Sequence, residues 1–233
     1  MIVVLALIVT SCARPSNDGI INKCTVKNGK VYQDRYPSLE GVLFAALETI
    51  DDFEDSFYND SYDKFLIVKA KKLTAISYYH DYGEKTISLD DTTERVPDKV
   101  AYTLTELAIT EVISDGGSNS YKVGDRITAR ERYTYMEKED GSKEFQPFIY
   151  YGVPYMDFDE EYLLFLQTND DGLVVKFTIT TETLDNVWDI YALCPLDNEV
   201  IKAVEEDRIK DLKRSLGYTY SYLYKDIFEK YVF

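Results

Sequence analysis

Residues 126–135 read Arg-Ile-Thr-Ala-Arg-Glu-Arg-Tyr-Thr-Tyr. Ile127, Ala129, Glu131, Tyr133 and Tyr135 alternate strictly with Thr128, Arg130, Arg132 and Thr134, the period-two pattern of a strand with one face buried. Turn chemistry brackets this stretch, with Gly124-Asp125 before it and Asp140-Gly141 after it. Upstream, residues 102–113 are rich in β-branched side chains and end at the turn Asp115-Gly116-Gly117. Before them, Phe65-Leu66-Ile67-Val68 begins an apolar run continued by Ala70, Leu73, Ala75 and Ile76. Downstream, residues 145–151, 162–166, 173–181 and 187–194 read as further strands, with the turn residues Asn169 to Gly172 between two of them. Six or seven short strands joined by hairpin turns point to an antiparallel barrel or sandwich. The polar stretch 79–99, with Asp90-Asp91 and Pro97, reads as an excursion loop.

Helical periodicity flanks the strands. Ser38 caps a stripe of Leu39, Val42, Leu43, Ala46, Leu47, Ile50 and Phe53, and an acidic tail, residues 51–63, follows. Near the other end, Asn198 caps a helix in which Val200, Ile201, Val204, Ile209, Leu212 and Leu216 are apolar, and Gly217 closes it. In the final aromatic stretch 218–233, the spacing of Leu223, Ile227, Phe228 and Tyr231 predicts a second helix. The expected organisation is a single domain over 38–233, preceded by a tether and irregular segment over 12–37 in which Asn28-Gly29 could turn a short hairpin.

Composition bounds the chemistry. The 233 residues are 45% apolar, with 11 Gly and 6 Pro, which excludes disordered and collagen-like classes. A formal charge of −16 repels phosphate backbones, so no nucleic-acid partner is expected. His80 is the one histidine and there are three cysteines, too few for a multi-histidine metal centre. The acidic clusters 51–55 and 157–161 could supply oxygens to calcium but do not match an Asp-x-Asp-x-Asp-Gly loop, so they read as solvated faces, and no metal or cofactor is expected. No glycine-rich phosphate loop occurs.

Residues 1–10 (MIVVLALIVT) form an uncharged apolar run, too short to span a bilayer and of the length of a signal-peptide core. The junction Ile8-Val9-Thr10-Ser11-Cys12 resembles the lipobox of bacterial lipoproteins. The resemblance implies a signal peptide over 1–11, acylation of Cys12, and a mature chain held by lipid on the extracytoplasmic face of the cell membrane. Export would place Cys24 and Cys194 where a disulfide can persist, so a bridge and two free thiols are both open.

The succession of a helix (39–53), an aliphatic strand (65–76), a strand ending in a turn (102–113), Val123-Gly124-Asp125-Arg126-Ile127-Thr128, and Glu161-Tyr162-Leu163-Leu164-Phe165-Leu166 resembles secreted bacterial proteins with an OB-like, netrin-like barrel. The resemblance covers residues 38–195. It implies an α+β fold, an antiparallel barrel with an N-terminal helix packed on it and one or two C-terminal helices. It implies no catalytic residue, and none is assigned. Tissue inhibitors of metalloproteinases share such a barrel and chelate metal through an N-terminal cysteine; an acylated Cys12 behind a tether makes that mode implausible.

Three functions are compatible with these readings. The first is a non-enzymatic module that binds an envelope protein or a cell-wall ligand, with tyrosines 133, 135, 150, 151 and 155 (Tyr133, Tyr135, Tyr150, Tyr151, Tyr155) as a binding patch. The second is a carbohydrate-active or other hydrolase, or an accessory protein, using the acidic cluster Asp157, Asp159, Glu160 and Glu161. The third is an inhibitor of an extracellular protease. His80, in Tyr78-Tyr79-His80-Asp81-Tyr82, reads as a solvated loop residue.

Overall fold

The computed structural model describes residues 20–26, 49–59, 62–89, 92–137, 143–147, 156–158, 160–176, 181–209 and 223–233. Ten strands dominate them: β1 (Ile20–Val26), β2 (Lys64–Leu89), β3 (Thr92–Ser114), β4 (Arg126–Glu131), β5 (Tyr133–Glu137), β6 (Lys143–Pro147), β7 (Glu161–Thr168), β8 (Leu173–Lys176), β9 (Thr181–Leu184) and β10 (Val187–Pro195). Three helices accompany them, α1 (Ile50–Asn59), α2 (Asn198–Glu205) and α3 (Tyr224–Tyr231). The fold class is α+β.

The main sheet runs β1-β2-β3-β4-β10-β7, and β7 pairs in turn with β2. The hydrogen-bonded circuit β2-β3-β4-β10-β7 therefore returns to its first strand. Every pairing in it is antiparallel except β4 with β10. The alternation at 127–133 is fulfilled: Ile127, Ala129, Glu131 and Tyr133 are buried. The uninterrupted apolar run of β7 has a different cause, burial on both faces. Leu164 and Leu166 face one apolar cluster with Leu66, Val68, Leu107, Ile109 and Ile190. Leu163 and Phe165 face a second cluster, roofed by the three helices through Phe53, Phe57, Val200, Val204, Ile227 and Phe228. Phe165 is gripped edge-on by Phe53, Phe57 and Tyr231, with ring centroids at 4.9, 5.5 and 5.3 Å.

β2 and β3 outgrow the circuit. β1 lies on β2 from Ala75 to Asp81, and beyond it residues 84–89 of β2 pair with residues 92–97 of β3 as a two-stranded ribbon. The expected excursion loop over 79–99 is thus paired strand. Its composition reads as loop because Glu84, Lys85, Thr86, Glu94 and Arg95 face solvent on a ribbon with no core to alternate against. A third apolar cluster stands where this extension meets the β8–β9 hairpin: Val100, Tyr102, Leu173, Val175 and Val187.

Other expectations shift at their boundaries. Strand β1 falls inside the segment expected to be tether, because its backbone is paired with β2. The stretch read as one strand over 173–181 is two strands of a hairpin, β8 and β9. The acidic tail after residue 50 is itself helix α1. Thr49 and Asp52 cap it reciprocally, and Phe53 and Phe57, four residues apart, carry its buried face. Residues 27–48, and with them the expected start of that helix and the Asn28-Gly29 turn, lie outside the described residues. The cap of α2 is Asp197 and not the expected Asn198, which is the first helical residue, because the Asp197 carboxylate accepts from the amides of Glu199 and Val200. The expected stripe beyond residue 209 also lies outside the described residues. The aromatic C-terminal stretch forms α3 with Leu223, Ile227 and Phe228 buried.

Candidate functional site

Asp98 of β3 is fully buried and meets Lys85 of β2 at 2.6 Å, and three larger groups of polar side chains stand against the sheet. The first is built on the inward face of β2, β3, β4 and β5. Lys72 and Glu131 are 0% and 2% exposed and meet at 2.7 Å. The Lys72 ammonium also donates to the Tyr133 hydroxyl (3.0 Å) and the Met156 carbonyl (2.8 Å), and it stands 4.7 Å from the Phe158 ring centroid. Glu131 accepts from Thr105, from Tyr133 and from the Met156 amide. A fully desolvated pair persists only when its remaining donors and acceptors are met, and here they fasten residues 156–158 to the sheet.

That arrangement overturns Tyr133 as part of an exposed patch. The residue is fully buried, and its hydroxyl serves the ion pair. Tyr135 occupies a register position opposite Phe145 on the β5–β6 hairpin. Tyr150, Tyr151 and Tyr155 lie outside the described residues.

The second group sits at the parallel junction of β4 and β10. Asp189 is buried and receives two hydrogen bonds from Arg130 (3.1 and 2.6 Å), one from Arg132 (2.8 Å) and one from the Tyr62 hydroxyl (3.2 Å). Burial alone would raise the Asp189 carboxyl. The two guanidiniums outweigh it and hold the group below the usual carboxylate range. Tyr62 is pushed the other way, up to about 12, by burial and then by the Asp189 charge.

The third group centres on Glu182 of β9, which leans onto the β2–β3 extension. Its carboxylate accepts from Tyr82 (2.8 Å) and Tyr102 (2.9 Å), and His80 Nδ1 lies 2.5 Å from it. Burial, followed by these contacts, pushes the Tyr82 phenol up to about 12 and raises Tyr102 further. His80 is a strand residue with its side chain 13% exposed, not the solvated loop residue expected. The carboxylate at Nδ1 fixes the ring so that Nδ1 donates, leaving the Nε2 atom buried and without a hydrogen-bond partner among the described residues. Tyr78 stacks on Tyr102 at 5.2 Å and completes the aromatic surround.

The acidic cluster expected near residue 160 takes no part in these groups. The Asp157 amide donates to the Tyr162 hydroxyl (2.8 Å), Glu160 is exposed, Glu161 opens β7, and Asp159 lies outside the described residues. Among the described residues, no three His, Cys, Asp or Glu side chains converge as a metal site.

Cys194 is a free, buried thiol. Burial pushes its ionisation well up, against a hydrogen bond with Tyr224. The Cys24–Cys194 bridge is not made, for a reason visible in the register. Cys24 lies opposite Ser77, whereas Cys194 lies opposite Leu163, which pairs with Lys69. Those positions are separated by about 26 Å of β2, and a disulfide needs Cα atoms within about 7 Å. Cys12 lies outside the described residues.

Two of the buried carboxylates carried a signal. Glu131 occupies an inward phase of the alternating strand, and Asp189 interrupts the apolar run Val187-Trp188-Asp189-Ile190. Glu182 carried none, being one acid among 42 in a polar stretch.

No family model matches the chain, and no curated protein or solved structure matches it either. No helix among the described residues is long and apolar enough to cross a membrane.

Proposed function

We propose that this chain is a lipid-anchored lipoprotein of the extracytoplasmic membrane face, whose OB-like, netrin-like barrel binds an envelope protein or cell-wall ligand without catalysing a reaction. The observation that carries the reading is the ten-residue apolar run 1–10 followed directly by Ser11-Cys12, so that Ile8-Val9-Thr10-Ser11-Cys12 has the lipobox arrangement with Cys12 as the acyl acceptor. The barrel reading is supported by the five-strand circuit with a single parallel pairing, the arrangement expected of a small Greek-key barrel of the OB type.

Binding is favoured over catalysis by how the buried carboxylates are used. Glu131 faces Lys72, Asp98 faces Lys85, Asp189 faces two arginines, and Glu182 holds two tyrosines and His80. Groups so engaged hold strands and hairpins together; a general acid or base needs a proton-accepting atom turned toward substrate.

Intact mass of the protein from the membrane fraction of an expressing bacterium tests the anchor. The expected species begins at Cys12 and carries a diacylglyceryl group, and Cys12→Ser leaves the protein unacylated and out of that fraction. A chain still beginning at Met1 without added mass sinks the reading.

A further inference from the structure

The anchor and the fold together constrain which end of the molecule meets the membrane. Strand β1 begins at Ile20, eight residues after Cys12, so the chain from the acylated cysteine to the sheet reaches at most about 28 Å. Ile20 lies opposite Asp81. From that level the β2–β3 ribbon continues for eight further residues to Leu89, about 26 Å, which nearly equals the reach of the tether. In the other direction, Asp81 is fourteen residues from Ile67, on which the helical roof packs. That is about 46 Å of strand contour, with helices about 10 Å thick beyond it.

Charge separates the two ends as well. Residues 84–97 of the ribbon carry four acids (Glu84, Asp90, Asp91 and Glu94) against Lys85 and Arg95, a net charge of −2. The helical end exposes acids in excess, Asp51, Asp52 and Asp55 on α1, Glu199 and Glu205 on α2, and Asp226 and Glu229 on α3, against Lys202, Lys225 and Lys230 on the same helices. An anionic headgroup layer repels the more acidic helical end more strongly than the ribbon.

We infer that the β2–β3 ribbon, with the β1 start beside it, is the face held against the lipid headgroups, and that the three-helix roof is the distal face turned away from the bilayer. The inference rests on the lipid-anchor reading. The ribbon acts as a strut: its polar residues stand in the hydrated headgroup zone without inserting, and the short reach of the tether keeps the body from turning over.

The test uses the full acylated chain in vesicles of phosphatidylcholine and phosphatidylglycerol containing a headgroup-spin-labelled lipid. A fluorescent unnatural amino acid is placed at Thr86 on the ribbon or at Glu205 at the end of α2, both exposed positions. Quenching several-fold stronger at Thr86 than at Glu205 is expected, and doubling the tether with Gly-Ser residues after Ser16 should shrink that difference. An acylated chain quenched equally at both positions, or more at Glu205, overturns the orientation and leaves the anchor standing. A chain recovered without the diacylglyceryl mass overturns both.

Discussion

β2 and β3 each live in two environments. In the closed circuit, Leu66, Val68, Leu107 and Ile109 are buried and the polar exceptions are fully enclosed, as at Lys72 and Glu131. Past Ser77, which lies opposite Thr103 at the end of the β3–β4 pairing, the same two strands become an extension stabilised differently. Tyrosine rings and a shared carboxylate dock the β8–β9 hairpin there, and the ribbon tip has solvent on its exposed residues. Continuous apolar burial makes the circuit one cooperative unit. The extension depends on a few hydrogen bonds and a small apolar cluster, so it can open by itself. One pair of strands thus spans the high- and low-stability parts of the molecule.

The largest expected effect breaks the circuit. Glu131→Ala leaves the Lys72 ammonium enclosed without its counter-charge and removes the acceptor of the Met156 amide. A loss of about 3–5 kcal/mol is expected in urea unfolding. A loss below about 1 kcal/mol, as for an exposed pair, would show that water reaches the pair.

Asp189→Asn comes next, at about 2 kcal/mol near neutral pH, less than the loss at Glu131 because both arginines keep some solvent. Its pH dependence is distinctive. The folded carboxyl lies below its ordinary value near about 3.9, so its contribution is complete above about pH 4 and disappears as pH falls through the folded value. The gap between the parent protein and the variant should therefore close below about pH 4. A gap constant across the acid limb would mean that the arginines do not hold the charge.

Gly172→Ala moves the attack to the extension. Gly172 has φ +101°, and an added Cβ would stand 2.9 Å from the Leu184 carbonyl oxygen. Backbone strain and this close approach should cost about 1–3 kcal/mol. The cost should appear first as faster amide exchange in β8 and β9, with α1 and β7 protected as before. Exchange rising equally in β7 would make the two regions one unit.

How far the sequence was legible follows the same division. Strands 126–135 and 162–166 announce themselves because a half-buried strand alternates and a doubly buried one is apolar throughout, and both faces of β7 are buried. The ribbon was hidden because pairing of exposed strands leaves no periodic mark: Glu84, Lys85 and Thr86 have solvent, not a core, to face. Helix α1 was displaced because its acidic residues masked a two-residue signal, Phe53 and Phe57. Glu182 was unreadable for a spatial reason. It meets Tyr82 from 100 residues away, through a hairpin whose docking no local pattern encodes. Tyr133 was misread because a tyrosine at an inward phase needs an enclosed polar partner, and Lys72 supplies it from another strand.

Glu182→Gln is the smallest change and the sharpest comparison with Glu131→Ala. The amide keeps one oxygen to accept a tyrosine hydroxyl but loses the charge that three donors share, and the site retains some contact with solvent. About 1 kcal/mol is expected for exchanging charge-assisted bonds for neutral ones. Because the lost contacts tie one hairpin to the extension, amides of β9 and of β2 near His80 should exchange faster while the urea midpoint barely moves. Glu131→Ala should do the reverse, lowering the midpoint and raising exchange throughout the circuit. If Glu182→Gln lowers the midpoint as far as Glu131→Ala does, the β8–β9 hairpin belongs to the cooperative body. The boundary between core and extension would then have to be drawn beyond Glu182, at the exposed ribbon itself.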